Sequence, residues 1–273
     1  MVKLFTIVKD ETDIINEWII YHGSLFGYKN LHIIDNMSTD GTYEKIVTFK
    51  NKGVNIYRKD DYSKKGEYMT KLIRKHCSDN ELAFPIDIDE FIVYYDKSSK
   101  SISRNKNKIL NYLSGLPINN KIFKMNFIFT NNHIDNNYGF NNALSECLYG
   151  SYSDFKEIAK VFVNSSLFKN ETIDHGNHYS TNDYILTDLC LVHYHFRNFT
   201  QFKKKVYNNV MGFNYPIDLD GLKKLDPRCN GCHHVNNLIS ILENTYKVPY
   251  SPHYDDNNDI SLKELSDFCK TNC

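Results

Sequence analysis

Two carboxylates stand two residues apart after an apolar stretch, in the order Phe84-Pro85-Ile86-Asp87-Ile88-Asp89. Side chains at positions i and i+2 of an extended backbone lie on the same face, so Asp87 and Asp89 can converge on one point. Converging carboxylates repel each other unless a cation lies between them, and such hard oxygen ligands suit Mg²⁺ or Mn²⁺. The spacing therefore indicates a metal site that also holds phosphate oxygens. The alternative is an acidic surface turn, because Asp-x-Asp also occurs by chance.

The elements before this motif alternate between strands and helices. Short β-type runs cover residues 2–8, 31–35 and 54–57, a further strand leads into residue 87, and helical spacing lies between them, as at residues 63–77. This alternation predicts a parallel sheet with right-handed crossovers, which binds ligands at the carboxyl ends of its strands. Acidic groups follow all four strands and predict one acidic rim. Pro85 weakens the prediction of a regular strand up to residue 87, because it cannot donate to the sheet.

The pattern is looser beyond residue 95. Strands are predicted at residues 121–130, 156–163 and 184–196, a long loop at 131–142, an amphipathic helix at 199–210, and C-terminal helices at 234–246 and 261–270. No internal repeat or linker is visible, so both halves are expected to share one extended sheet. The predicted fold class is α/β, with a Rossmann-like, mostly parallel sheet flanked by helices and a mixed C-terminal extension.

Composition argues against several classes of partner. The 273 residues carry 33 Lys and Arg against 33 Asp and Glu, a balance that does not indicate a nucleic-acid or polybasic membrane partner. We expect no transmembrane segment, because no apolar run is long enough to span a bilayer, and no signal peptide, because the first apolar run soon meets Lys9-Asp10-Glu11. Seven scattered cysteines argue against a disulfide framework. We therefore expect a cytoplasmic protein with reduced thiols.

Three blocks of the sequence together resemble a known family. They are Val8-Lys9-Asp10-Glu11 with Glu17-Trp18-Ile19-Ile20-Tyr21-His22, then Ile34-Asp35-Asn36-Met37-Ser38-Thr39-Asp40-Gly41-Thr42, then Ile86-Asp87-Ile88-Asp89-Glu90-Phe91. In order and spacing they look like the family-2-like glycosyltransferases of the GT-A fold, and most like the branch related to glycosyltransferase family 92. The resemblance is strong over residues 2–95 and weaker out to Lys205.

This resemblance implies a division of the chain and a cofactor. A GT-A domain would cover residues 1–215, with a nucleotide-binding half at 1–95 and an acceptor half at 96–215, and a helical extension would cover 216–273. The expected donor is a nucleotide sugar, with UDP-sugars first, and the expected metal is Mn²⁺, or else Mg²⁺. The metal would bridge the diphosphate and act as a Lewis acid on the leaving nucleotide.

The resemblance also assigns roles to single positions. Asp87 and Asp89 match the two carboxylates that hold the metal, and Asp89 matches the more direct ligand. Asp35 matches the acidic residue that contacts the base or ribose. Lys9 and Glu11 match positions that line the nucleotide pocket.

A histidine of the second half is a further metal candidate. His193-Tyr194 matches a His-Tyr pair of the family, which implies that His193 is a third metal ligand or a diphosphate ligand. The alternative is a hydrogen-bonded core histidine, because imidazole suits Mn²⁺ less well than oxygen does. His195 would share its face of the strand, and His175 with His178 is the alternative pair.

Basic residues after this strand are candidates for binding the diphosphate. Arg197 falls where the family has a basic residue. Arg197, Lys203 and Lys205 can all neutralise a diphosphate, although a solvated helix face is the alternative for the two lysines.

Inverting glycosyl transfer needs a base that deprotonates the acceptor hydroxyl, and a carboxylate of the second half is the expected group. The candidates are Glu146, Asp154, Glu157 and Asp174. Glu146 ranks first, because it lies where the family carries an acidic residue. Asp154 is the second candidate. The alternative for each is a solvated surface acid.

Cys229-Asn230-Gly231-Cys232-His233 matches the string that attaches a c-type haem. We discount haem, because no export signal accompanies the string. A zinc site with His233 and His234 is a further alternative, but no second cysteine pair stands at the usual spacing. The favoured interpretation is that these residues cap a helix and line the acceptor side.

The predicted function is metal-dependent, inverting transfer of a sugar from a nucleotide-sugar donor to a hydroxyl of a glycan or glycoconjugate acceptor. A first alternative is a catalytically inactive module that binds a nucleotide sugar or glycan. A second is an aspartate-based phosphatase of the haloacid-dehalogenase type, which would place its Asp-x-Asp near the start of the chain. Here the motif follows three strand-helix units, which disfavours the phosphatase.

Overall fold

The structure, a computed structural model, describes residues 1–117, 119, 122–130, 142–154, 159–169, 171–174, 176–178, 183–245 and 259–273. Most of the predicted loop at 131–142 lies outside the described residues, as do Glu157 and His175. All seven cysteines are described, and each is a free thiol. In the part of the chain that is described, no helix has the length and apolar character needed to cross a membrane.

The first half of the chain builds a parallel sheet. Its elements are β1 (Val2–Val8), α1 (Ile15–Phe26), β2 (Leu31–Asp35), α2 (Thr42–Thr48), β3 (Asn55–Arg58), α3 (Lys65–His76) and β4 (Leu82–Pro85). β1 pairs in parallel with β2 and β4, and β2 pairs in parallel with β3. The predicted alternation of strands and helices is therefore confirmed. β4 ends at Pro85, as expected for a residue that cannot donate to the sheet.

The second half adds strands of both directions to the same sheet. Its elements are β5 (Glu90–Asp96), β6 (Ser101–Ser103), α4 (Lys106–Ser114), β7 (Ile122–Thr130), α5 (Ala143–Glu146), β8 (Tyr149–Ser153), β9 (Lys160–Asn164), β10 (Tyr184–His193), α6 (Phe199–Gly212), α7 (Leu219–Leu222), α8 (Cys232–Leu242), β11 (Asp259–Ser261) and α9 (Lys263–Asn272). The order along the sheet is β3-β2-β1-β4-β9-β7-β10-β5-β6, with β8 paired to β7 and β11 to β8. The predicted α/β fold class is confirmed.

Most of the described strands point the same way. β9 lies antiparallel between β4 and β7, and β7 is parallel to β10, so β7 and β10 share the direction of β1 to β4. Among the described strands, β5, β8 and β9 point the other way. The carboxyl ends of β1, β4, β7 and β10 therefore meet the amino ends of β5 and β9 at one edge of the sheet.

Apolar side chains cover both faces of the sheet. In β1, Leu4 belongs to the main core with Trp18 of α1, whereas Phe5 belongs to a second core with Met69 of α3. Successive side chains of a strand point to opposite faces, so α1 and α3 cover opposite faces. A third apolar cluster joins α6, α7 and α8. Packing on both faces fixes the strand ends that carry the polar residues.

The C-terminal residues return to the sheet. The predicted extension at 216–273 contains α7, α8 and α9, but it also contains β11, which pairs with β8. Leu262 and Leu265 are buried in the main core, and α9 contacts α5. The extension is therefore only partly helical, because its last segment completes the sheet. The domain division at residue 215 stays a prediction.

Candidate functional site

A cavity of about 770 Å³ opens at the edge where these strand ends meet. The strand ends and the turns beside them contribute Val8, Lys9, Glu11, Asp87, Ile88, Asp89, Glu90, Thr130, Lys160 and His193. The helical side contributes aromatic and polar groups from α6, α8 and the segments beside them, among them Phe202, Lys205, Asn208, His233 and His234. The edge is the one at which α/β sheets bind ligands, which makes the cavity the candidate site.

Asp87 lies between two lysines. Its Oδ1 accepts a hydrogen bond from Lys65 Nζ at 2.5 Å, and its Oδ2 accepts one from Lys160 Nζ at 2.7 Å. Both lysines are buried. Burial alone would raise the pKa of Asp87, but the charges of Lys160 and Lys65 outweigh it and hold the pKa below its ordinary value. Asp87 is thus an ionised carboxylate with both oxygens engaged inside the protein.

Glu90 supports the turn that carries Asp87. Its side chain is fully buried, and its Oε2 accepts a hydrogen bond from the backbone N–H of Asp87 at 2.8 Å. Lys160 Nζ lies 3.4 Å from its Oε1. Burial raises the pKa of Glu90, although Lys160 partly offsets this. Lys160 therefore serves two carboxylates at once.

Asp89 has a different set of neighbours. Its Oδ2 accepts a hydrogen bond from Lys205 Nζ at 2.5 Å and lies 3.4 Å from His193 Nε2. Burial alone would raise the pKa of Asp89, but Lys205 and His193 hold it well below its ordinary value. Its backbone carbonyl accepts from Tyr194 N–H at 2.9 Å, which ties the motif to the end of β10.

Asp89, His193 and His195 can together hold a metal ion. One ligand atom from each lies within 4.8 Å of the others. The strand that was predicted at 184–196 ends at His193 in the structure. The rings of His193 and His195 are nevertheless close, with centroids 5.1 Å apart. The Nδ1 atom of His193 is buried and has no hydrogen-bond partner among the described residues. This favours a role in metal binding over the alternative of a hydrogen-bonded core histidine.

The chemistry of this donor set suits a divalent ion. One carboxylate with two imidazoles is a set that proteins use for divalent transition metals. Burial, with the charges of Lys205 and His193, lowers the pKa of His195 well below its ordinary value, so the ring is neutral at pH 7 and keeps a lone pair for a metal. The structure thus brings Asp89, His193 and His195 together, whereas Asp87 faces the lysines. The metal-binding roles of Asp87, Asp89 and His193 stay predictions.

Glu11 and Arg197 are paired with each other. The Arg197 guanidinium donates to the Glu11 carboxylate and, through Nε, to Asp13 Oδ2 at 2.7 Å. Burial raises the pKa of Glu11, although Arg197 partly offsets this. Glu11 lines the cavity with Lys9, whose Nζ donates to the backbone oxygen of Asn36 at 3.0 Å. The predicted role of Arg197 in neutralising a diphosphate stays a prediction, and the side chain already has two carboxylate partners.

Asp35 ends β2 and is fully buried. Its Oδ2 accepts from Arg58 Nε at 3.0 Å, and its Oδ1 accepts from Ser38 N–H at 3.2 Å. It is absent from the described residues that line the cavity. Its predicted contact with the base or ribose stays untested.

The described candidates for the base lie outside the cavity lining. Glu146 is exposed at the end of α5, and its Oε1 accepts from Asn142 N–H at 3.2 Å. Asp154 and Asp174 are also exposed, and Asp174 accepts from His178 N–H at 3.1 Å. His178 itself reaches the cavity. The identity of the base therefore stays a prediction.

The cysteine-histidine string forms part of the cavity wall opposite the strand ends. Gly231, His233 and His234 line the cavity at the start of α8. Among the described residues, the side chains that are close enough together to hold a metal ion are those of Asp89, His193 and His195, and the string is not part of that group. The interpretation of the string as a helix start beside the site agrees with this position.

Sequence reasoning missed the role of the buried lysines. Lys160 shares the predicted strand at 156–163 with two other charged residues, Lys156 and Glu157, so local sequence does not single it out, and Lys65 carries no signal within its helix. Lys205 was placed on a solvated helix face as an alternative, but it points into the cavity, whereas Lys203 is exposed and does not line it.

Comparison with known proteins gives only distant structural likeness. No protein-family model matches the chain, and no curated protein matches it significantly in sequence. A structure of Staphylococcus aureus TarS 1-349 in complex with UDP is similar at 9% identity and a TM-score of 0.45, over 89% of this chain and 70% of that one. Glucosyl-3-phosphoglycerate synthase from Mycobacterium tuberculosis, in complex with Mn²⁺ and UDP-glucose, is similar at 15% identity and a TM-score of 0.32, over 47% and 43%. A cytidylyltransferase from Leptospira borgpetersenii is similar at 9% identity and a TM-score of 0.30, over 62% of each chain.

Proposed function

We propose that the chain is a metal-dependent glycosyltransferase that moves a sugar from a nucleotide-sugar donor, UDP-linked in the first instance, to a hydroxyl of a glycan or glycoconjugate acceptor. The observation that carries the proposal is the convergence of Asp89, His193 and His195 beside Lys205, in a cavity at the carboxyl edge of the sheet. Such edges bind nucleotides in many α/β folds. The three sequence blocks that resemble GT-A glycosyltransferases support the choice of reaction.

The proposed residues divide the work of an inverting transfer. The acceptor oxygen attacks the anomeric carbon, the bond from this carbon to the diphosphate breaks, and the hydroxyl proton passes to a carboxylate. Glu146, followed by Asp154, remains the candidate for that carboxylate. A divalent ion held by Asp89, His193 and His195 would supply Lewis acidity and charge for the leaving diphosphate. Lys205 adds a positive charge in the same cavity.

A second candidate function is binding of a nucleotide sugar without transfer. It is favoured by one observation, namely that the described base candidates are exposed and do not line the cavity. A phosphatase is disfavoured, because a nucleophilic Asp87 would need a free carboxylate oxygen and both of its oxygens accept hydrogen bonds from lysines.

Calorimetric titration with UDP, and with GDP for comparison, tests the proposal with and without Mn²⁺. We expect one nucleotide to bind tightly only with metal, and hydrolysis or transfer of the matching nucleotide sugar to follow. Asp89→Asn should weaken metal-dependent binding by at least about tenfold, because it removes the anionic ligand. Asp220→Asn is the matched control, because Asp220 is exposed outside the cavity lining. Absence of nucleotide binding in every condition would reject the proposal, and metal-dependent binding without turnover would select the binding module.

A further inference from the structure

Lys205 occupies the space between the proposed metal ligands. Its Nζ donates to Asp89 Oδ2 at 2.5 Å and lies 3.5 Å from His195 Nδ1, so it contacts two of the three ligand side chains. The ammonium is therefore a cation already seated at the carboxylate that a divalent ion would need.

An ammonium and a divalent ion cannot share this position. A transition-metal ion sits about 2.1 Å from an oxygen ligand, so an ammonium hydrogen-bonded to the same oxygen would lie roughly 3–4 Å from the ion. Like charges at that separation repel strongly where water is largely excluded, and Asp89 is buried. Binding of the ion must displace Lys205 from Asp89.

Lys205 is more exposed than the two lysines at Asp87. The side chain of Lys205 is 18% exposed, whereas those of Lys65 and Lys160 are 4% and 5% exposed. It stands in the second turn of α6 and reaches the cavity through its flexible stem. An anion entering the cavity, such as a nucleoside diphosphate, would give the displaced ammonium a new partner.

We propose that Lys205 competes with the divalent ion for Asp89 and passes to the diphosphate when the ion binds, so that metal and nucleotide bind cooperatively. This inference rests on the proposed metal and nucleotide site. The ion alone must break the Lys205–Asp89 pair without compensation. A diphosphate offers that compensation, and by linkage the ion must favour the diphosphate equally.

Titration of Mn²⁺ into the nucleotide-free protein, read from the electron paramagnetic resonance signal of free Mn²⁺, tests the competition without any turnover. Lys205→Gln should bind Mn²⁺ about tenfold more tightly than the wild type, because the ion no longer displaces a cation. Lys205→Arg keeps the charge and should bind as weakly as the wild type. Lys203→Gln removes a charge from the same helix at an exposed position outside the cavity lining and should change nothing. Circular dichroism verifies that each variant is folded.

A second titration with saturating UDP tests the transfer of Lys205. UDP should raise the Mn²⁺ affinity of the wild type, and this enhancement should shrink in Lys205→Gln. Equal or weaker Mn²⁺ binding by nucleotide-free Lys205→Gln would overturn the proposal, and so would an undiminished enhancement by UDP. If UDP binds neither protein while Lys205→Gln still binds Mn²⁺ more tightly, the competition for Asp89 stands and the proposed function and the transfer to the diphosphate both fail.

Discussion

The two carboxylates of the Asp-x-Asp motif have unlike surroundings, and this separates what each can do. Asp87 is enclosed by two buried ammonium groups, and its carbonyl accepts from Trp18 Nε1 at 3.2 Å. Asp89 faces one partly exposed lysine and two imidazoles. Spacing made the two residues look equivalent, but the charges around them suit Asp87 to charge balance and Asp89 to the ligand role that we propose.

Substitution of each aspartate by asparagine should therefore give opposite phenotypes. Asp87→Asn leaves two buried lysines without their shared counter-charge, and we expect it to lower the free energy of unfolding by about 3–5 kcal/mol. Asp89→Asn should cost less than half of that, because Lys205 is partly exposed, but it should weaken Mn²⁺ binding by at least about tenfold. Urea denaturation followed by the fluorescence of Trp18, the single tryptophan, gives the first quantity, and Mn²⁺ titration gives the second. A stable Asp87→Asn variant that has lost Mn²⁺ would return Asp87 to the ligand set.

At the scale of elements, α6 is the helix that closes the site. It brings Phe202, Lys205 and Asn208 to the cavity, and Gln201 Nε2 donates to Glu11 Oε2 at 3.4 Å. Its first turn is fixed by Asn198, whose side chain accepts from Gln201 N–H at 2.8 Å. An N-cap that is absent from the described cavity lining therefore helps to fix the helix that carries the cavity lysine.

Loss of this cap should affect stability and binding together. Asn198→Ala should cost about 1 kcal/mol of stability, since it leaves an N–H of the first turn without its acceptor. Asn105→Ala is the matched control, because Asn105 caps α4 in the same way, with Lys108 N–H at 3.0 Å, away from the cavity lining. We expect similar losses in urea denaturation but weaker UDP binding only in Asn198→Ala. Equal UDP affinities in both variants would mean that α6 does not position the site.

Sequence periodicity was sufficient to predict the helices and strands, but it was insufficient to predict the charge pairs of the site. The predicted helix at 199–210 is α6, at Phe199–Gly212, and the four strands of the first half lie where alternation placed them. These features depend on local apolar spacing, which a sequence displays. Lys65 and Lys160 meet Asp87 from positions 22 and 73 residues away, because sheet order and not spacing brings them together. A local sequence pattern does not predict such a long-range contact.

At the scale of the whole molecule, two histidines, His22 and His32, are buried in the protein interior with neutral side chains. His22 is fully buried, its Nδ1 lies 3.0 Å from the carbonyl oxygen of Trp18, and its Nε2 accepts from Ile92 N–H at 3.4 Å. A ring that both donates and accepts must be neutral. His32 stacks on Phe5 and is 2% exposed. Burial is the main cause that lowers the pKa of each to about 3.

These depressed pKa values predict that stability falls on mild acidification. The unfolded chain takes up protons below about pH 6.5 while the folded rings stay neutral until about pH 3, so the stabilisation is complete above pH 6.5 and is lost as the pH falls. Each histidine should contribute a loss of about 1.4 kcal/mol per pH unit between pH 6 and pH 4. Asp87 and Asp89 add little above about pH 5, because their carboxylates are ionised in both the folded and the unfolded state there. His22→Gln should lower the free energy of unfolding at pH 7. It should also reduce the dependence of that free energy on pH by the contribution of one proton. Urea denaturation at pH 7, 6 and 5 measures both quantities. An unchanged slope would mean that His22 is protonated in the folded protein, and the hydrogen bond from Ile92 would then have to be absent.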